Sequence, residues 1–234
     1  MIVLGIETST PQTSVALGGE SGIVASATLT GRAHQEQVVP TLRQLLQWSG
    51  VELPQVAGIA VGVGPGLFTG LRVGVQTAKS LAQALRIPIV GMTSLDVLAF
   101  SVRHTSRLVA AVVDARRGEV FWGVYRPVPG GVLRQGEFAV GPPDHLVGEL
   151  TALAEDVLVV GDGAVLYRRQ IEEMGSQVEF ASPMWAHPQA AALVELSVPR
   201  FEREEHDRLA EVVPLYLRKS DAEINVDRGL RAGG

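Results

Sequence analysis

Three short stretches carry residue types from which chemistry could be built. The first is "GIETST", where Glu7, Thr8 and Ser9 follow an apolar run near the start of the chain. A carboxylate at a strand end can hold a metal ion or activate water, and neighbouring hydroxyls can meet phosphate oxygens. Equally, such a carboxylate can hydrogen-bond into the adjacent turn. The second is "VVDARRGEVF", where Asp114 stands at the break of an apolar run and is open to the same two readings. The third is "VVGDGAVLY", whose Gly161 and Gly163 sit at a strand-to-helix turn. Without a Cβ they would let a nucleotide base lie flat, or let the chain turn tightly.

A fourth stretch, "GVGPGLFTGLRVG" from Gly62 to Gly74, has the look of a phosphate cradle. No Gly-Lys-Ser/Thr occurs in the chain, so the lysine of a P-loop is missing. Gly64-x-Gly66 is followed by Gly70, one residue too late for the dinucleotide fingerprint. Only the backbone amides at a helix start are left to meet a phosphate. The five histidines, His34, His104, His145, His187 and His206, form no HExxH and no i, i+4 pair, which gives no support to a helical metal site. With no cysteine there is no thiolate ligand or nucleophile, and "GESGI" fails the GxSxG pattern at its last position.

These residues need elements to hold them. The chain has 234 residues, 46% hydrophobic and 19% charged, enough apolar material for a core in one large domain or two small ones. "MIVLGIETST" lacks a basic n-region and reads as a buried first strand, and no stretch approaches the ~18 unbroken apolar residues of a membrane span. The expectation is a soluble, cytoplasmic protein without membrane contact. A formal net charge of −5 speaks against a chain that grips nucleic acid unaided.

Alternation and turn signals predict strands at 2–7, 13–17 and 23–29, then a helix from His34 to Trp48 with Pro40 in its first turn or kinking it. Further strands are expected at 56–63 and 87–91, a helix over 73–85, and a third helix near Leu95 capped by Ser94. From Arg107 a hairpin around "DARRGE", a strand over 132–140, a helix from Asp144, a strand at 157–161 and a helix after Gly163 repeat the arrangement. "RFEREEHDRLAE" reads as a solvated helix end or loop.

The helix after the glycine loop is unusual. Arg72, Gln76, Lys79, Gln83 and Arg86 form one polar stripe covering roughly 80° of its circumference. The rest is apolar or small, about twice the stripe an ordinary surface helix needs, so two faces should be buried. Gly70, Gly74, Ala78 and Ala82, four apart, would let another backbone approach closely. Either this is a central helix wedged between its own sheet and the helix at His34–Trp48, or one face docks on another protein.

"LGIETSTPQTSVAL", "HQEQVVPTLRQLL", "GVGPGLFTGLRVGVQTAKSLA", "IPIVGMTSLDVLA", "VVDARRGEVFWGVY" and "VPLYLR" together resemble the bacterial TsaB (YeaZ) family, from residue 2 to about 218. The resemblance implies an α/β, two-lobed actin/sugar-kinase/Hsp70-like (ASKHA, ribonuclease H-like) fold, each lobe a mixed sheet with flanking helices. It implies an N-terminal lobe over 1–103 with the partner-binding helices and a C-terminal lobe over 104–220; the tail over 221–234 lacks a core pattern and is expected to be flexible. It also implies a non-catalytic subunit that pairs with the larger paralogue TsaD, joined by the ATPase TsaE, for threonylcarbamoylation of adenosine 37 of tRNA. RNA would be met indirectly, through the complex, and a homodimer could form when the chain is alone. On this resemblance the pairing residues would be His34, Val38, Leu42, Gly70, Gly74, Val75, Ala78 and Ala82. Glu7, Thr8, Ser9, Asp114, Gly161 and Gly163 would form a residual nucleotide site. No cofactor of the chain's own is expected, with nucleotide at most shared with a partner.

Departures from related enzymes point the same way. "VGMTSLDVLA" has no histidine where the catalytic paralogue carries a metal-binding pair, Glu7 stands where kinase-like relatives have Asp, and "DARRGE" lacks their run of glycines. The competing reading is an ATP-dependent phosphotransferase of the same fold using Glu7 and Asp114, or a peptidase, an older label of the wider family.

Overall fold

The computed structural model describes residues 1–31 and 34–218. The expected tail at 221–234 lies outside the described residues, as does the side chain of His34. The order is β1 (Ile2–Glu7), β2 (Gln12–Gly19), β3 (Gly22–Thr30), α1 (His34–Ser49), β4 (Val56–Gly62), α2 (Phe68–Leu85), β5 (Ile89–Met92) and α3 (Ser94–Ser101). There follow β6 (Leu108–Arg116), β7 (Glu119–Val128), β8 (Gly131–Gly141), α4 (Pro143–Leu153), β9 (Val157–Val160), α5 (Asp162–Leu166), α6 (Arg168–Ile171), β10 (Val178–Phe180) and α7 (Ala190–Glu202).

Two five-stranded sheets repeat one plan: β3-β2-β1-β4-β5 and β8-β7-β6-β9-β10, each an antiparallel meander continued by parallel strands. The first sheet is apolar on both faces because it is covered on both. Leu4, Ile6, Val15 and Leu17 meet α1 and α2, while Val3, Ala16 and Ala60 alternate to the other face. That second face is covered by α7, which sequence reasoning did not find. Its Ala190, Val194, Val198 and Phe201 are buried against the first sheet, so residues 104–220 do not pack as one unit.

Some boundaries move. α2 begins at Phe68, ahead of the expected start at residue 73, and Pro40 lies inside α1, beyond the first turn. Thr93, not Ser94, caps α3: its hydroxyl accepts from the Asp96 N–H at 3.1 Å. Part of the charged stretch after α7 is structural, since Asp207 bridges to Ile89 and accepts from the Gly91 N–H at 2.8 Å. No described helix is long and apolar enough to cross a membrane.

Candidate functional site

Glu7 ends β1 and is 1% exposed. The Ser9 N–H donates to its Oε1 at 2.7 Å and the Ser94 hydroxyl to its Oε2 at 3.3 Å. Ser94 is free to do so because Thr93 took the cap. Gly62 lies opposite, where a Cβ would stand 1.9 Å from Oε2. Burial pushes the Glu7 carboxyl above the usual glutamate range, which favours a neutral, hydrogen-bonded acid over a solvated base. The glycine loop then closes on the β1–β2 turn. A Cβ on Gly66 would stand 2.1 Å from the Ser9 carbonyl oxygen, which accepts from the Leu67 N–H at 2.6 Å. The Thr8 hydroxyl donates to the Gly70 carbonyl at 2.8 Å, and a Cβ on Gly74 would stand 2.2 Å from that hydroxyl. The chain's own backbone therefore packs closely against Thr8 and Ser9. These glycines serve self-packing.

The second cluster is at the β6–β7 turn. Asp114 accepts from the Arg116 N–H at 2.9 Å and pairs with its guanidinium at 3.0 Å. Its own N–H donates to Asp162 at 2.9 Å. Burial, together with the nearby Asp114 charge, pushes the Asp162 carboxyl up to about 6. Sequence reasoning named the two glycines flanking Asp162 and passed over the carboxylate between them, which carries no motif of its own. Gly161, with φ 116°, and Gly163 let α5 start against β6: Cβ atoms there would stand 2.0 Å from the Val112 carbonyl oxygen and 2.8 Å from its side chain. Among the described residues no hydrogen bond or ion pair joins the Glu7 and Asp114 clusters, and no three His, Cys, Asp or Glu gather as a metal site.

The third place is the outer side of α2. Gly70, Leu71, Gly74, Val75, Ala78 and Ala82 are buried, and Val38 and Leu42 of α1 share their core. Apart from His34, whose side chain lies outside the described residues, the expected pairing residues therefore face inward, as a helix wedged against its own sheet and α1 requires. The surface of these helices is formed by their exposed neighbours. On α1 these include Val39, 51% exposed, and Trp48, 71% exposed. On α2 they are the polar stripe, beside which the segment 212–218 runs as a strap. The Leu215 N–H donates to the Val63 carbonyl at 2.7 Å, and the Lys79 ammonium to the Val212 carbonyl at 3.1 Å. The Tyr216 ring stacks on Phe68 with centroids 5.0 Å apart, and the Arg72 guanidinium lies 4.0 Å over Phe68. Between strap and helix opens a groove of about 780 Å³ lined by Phe68, Arg72, Val73, Gln76, Val213 and Pro214. Val213, in "VPLYLR", is 56% exposed there. An exposed valine in a strap cannot be read from pattern, because the strap has no period.

The geometry can be set beside known proteins. A family model described as TsaD: tRNA N6-adenosine threonylcarbamoyltransferase matches residues 7–226. The chain is 32% identical over 230 residues to the tRNA threonylcarbamoyladenosine biosynthesis protein TsaB of Bacillus subtilis (strain 168), covering 95% of this chain and 96% of that one. Among solved structures, YeaZ from Pseudomonas aeruginosa matches with a TM-score of 0.79 and 32% identity, covering 92% of this chain and 99% of that one. An 11% identical neighbour, the activator of the 2-hydroxyisocaproyl-CoA dehydratase from Clostridium difficile, matches with a TM-score of 0.52 and shows the two-lobed actin-like fold alone. Matched in sequence and architecture over nearly its whole length, the chain belongs to the TsaB (YeaZ) family of tRNA threonylcarbamoyladenosine biosynthesis proteins.

Proposed function

We propose that the chain is a non-catalytic subunit that pairs with the larger paralogue TsaD, with TsaE joining them, for transfer of the threonylcarbamoyl group to adenosine 37 of tRNA in the cytoplasm. The observation that carries this reading is the groove beside α2, where apolar groups of the helix and the strap stand open to solvent. Such open apolar surface with a polar rim is characteristic of protein docking. The carboxylates favour the same reading. Glu7 has no approach for water and Asp114 is tied to Arg116, so neither is poised for a reacting group. The chain binds no nucleotide of its own on this reading; a nucleotide in the complex is held by a partner or shared with one. In isolation the same open face pairs two copies.

The decisive measurement is threonylcarbamoyladenosine in bulk tRNA after depletion of the protein, where an undiminished level sinks the assignment. Val213→Glu places a charge in the groove and should cost at least about tenfold in affinity for TsaD without moving the melting temperature. ATP turnover by the purified chain alone, abolished by Glu7→Gln, would instead favour the phosphotransferase reading.

A further inference from the structure

We infer that the α2–strap groove receives an acidic amphipathic helix of the partner, its apolar side against Phe68, Val73 and Val213 and its carboxylates along the Arg72–Arg86 stripe. This rests on the pairing proposed above and adds the chemistry of the partner's contact.

α2 contains no acidic residue over its whole span, although the chain carries a net charge of −5. Its stripe runs Arg72, Gln76, Lys79, Gln83, Arg86, and α1 adds an exposed Arg43. Many arginines elsewhere have carboxylates of their own: Arg107 with Asp156 and Glu179, Arg126 with Glu155, Arg168 with Glu172, Arg200 with Asp207, and Arg203 with Glu205. Among the described residues Arg72, Lys79 and Arg86 have none. Residues 212–218 contain no carboxylate, and Glu211, just before the strap, is turned to Arg208 at 3.8 Å. Arg72 is positioned in advance, with its guanidinium over Phe68 and its Nε donating to the Tyr216 hydroxyl at 3.3 Å. A guanidinium held on an aromatic face keeps free N–H groups in a fixed fork, suited to a carboxylate. The apolar lining separates a helix from RNA: phosphates would match the cations and leave Val73, Val213 and Pro214 uncovered, whereas a helix with one apolar and one acidic side covers both.

The test measures affinity of the purified chain for TsaD of the same organism by calorimetry over a series of salt concentrations. Arg72→Glu, Gln76→Glu and Gln76→Lys are compared; both positions are exposed, the Gln76 variants should keep the wild-type melting temperature, and Arg72→Glu also gives up the Phe68 and Tyr216 contacts. Expected are an affinity falling about tenfold or more from low to high salt, a loss of similar size in Arg72→Glu and Gln76→Glu, and a several-fold gain in Gln76→Lys. That gain separates charge complementarity from damage, since a damaged helix cannot bind better. A salt-independent affinity, with all three variants equal to wild type, overturns the acidic helix and leaves the pairing standing. No binding by the wild type overturns both. Unchanged pairing, with tRNA crosslinking to the assembled complex lost in Arg72→Glu, hands the stripe to RNA and equally overturns the inference.

Discussion

Glu7 is the residue on which an enzymatic reading would turn, and its surroundings make its ionisation costly. Burial without a cation raises its pKa, so the folded chain keeps a proton that the unfolded chain has released once pH exceeds about 4.5. Its contribution to stability is therefore full below that pH and is lost as pH rises through the folded value. Glu7→Gln removes this dependence. Denaturant midpoints should show the variant gaining on wild type from about pH 5 to pH 8, and a constant difference across that span would show Glu7 to be charged in the fold. Gly74 is equally constrained. Its spacing from Gly70 and Ala78 left open whether it makes room for this chain or for another protein, and a Cβ there would meet the Thr8 hydroxyl at 2.2 Å. Gly74→Ala should thus destabilise the chain by about 1–3 kcal/mol, and Thr8→Ala in the same chain should return part of the loss. Additive effects in that double-mutant cycle would refute the contact. Periodicity tells which residues are small; it does not tell which backbone they make room for.

Elements differed in how far the sequence disclosed them, and the difference follows from the origin of their stability. The strands of both meanders alternate, break at Gly, Pro and Asp, and pair with their immediate neighbours, so local pattern was sufficient. α2 was legible as a doubly buried helix because its polar stripe is narrow. α7 was not: "AAALVELSVPRFE" has a weak stripe, contains Pro199, and packs on a sheet more than a hundred residues away in the chain. The strap has no period at all, and only its tertiary bonds define it. Its hold should be correspondingly modest. The Tyr216 ring is 44% exposed and rests on Phe68, a stack worth about 0.5–1.5 kcal/mol. Tyr216→Ala should therefore speed proteolysis within residues 212–218 and also leave Arg72 without one of its two supports. Unaltered cleavage kinetics would mean that the Leu215–Val63 and Lys79–Val212 bonds suffice to hold the strap.

At the scale of the whole molecule, the repeated plan of the sheets suggests two halves that could be separated between β5 and β6, and α7 prevents it. Its Val194 fills the space above Gly5, where a Cβ would stand 2.7 Å from the valine, and Phe201 does the same above Gly58. The Ala190 N–H donates to the Ser14 hydroxyl at 2.9 Å. One face of the first sheet is thus completed only after the second sheet has been made. α3, which packs against α7, strengthens the connection: the Tyr125 hydroxyl donates to Asp96 at 2.8 Å. It follows that damage to α7 should be felt in the first lobe, although it lies in sequence beyond the second sheet. Val194→Ala is expected to cost about 2 kcal/mol, read by hydrogen exchange as lost protection in β1, β2 and β4 with β6 and β7 unchanged. Loss confined to β6–β8 would place α7 energetically with the second lobe. Because α1 and α2 lie on the opposite face of that same first sheet, the proposed pairing with TsaD predicts that Val194→Ala also weakens binding once the first lobe begins to open, at a denaturant concentration where wild type should still bind.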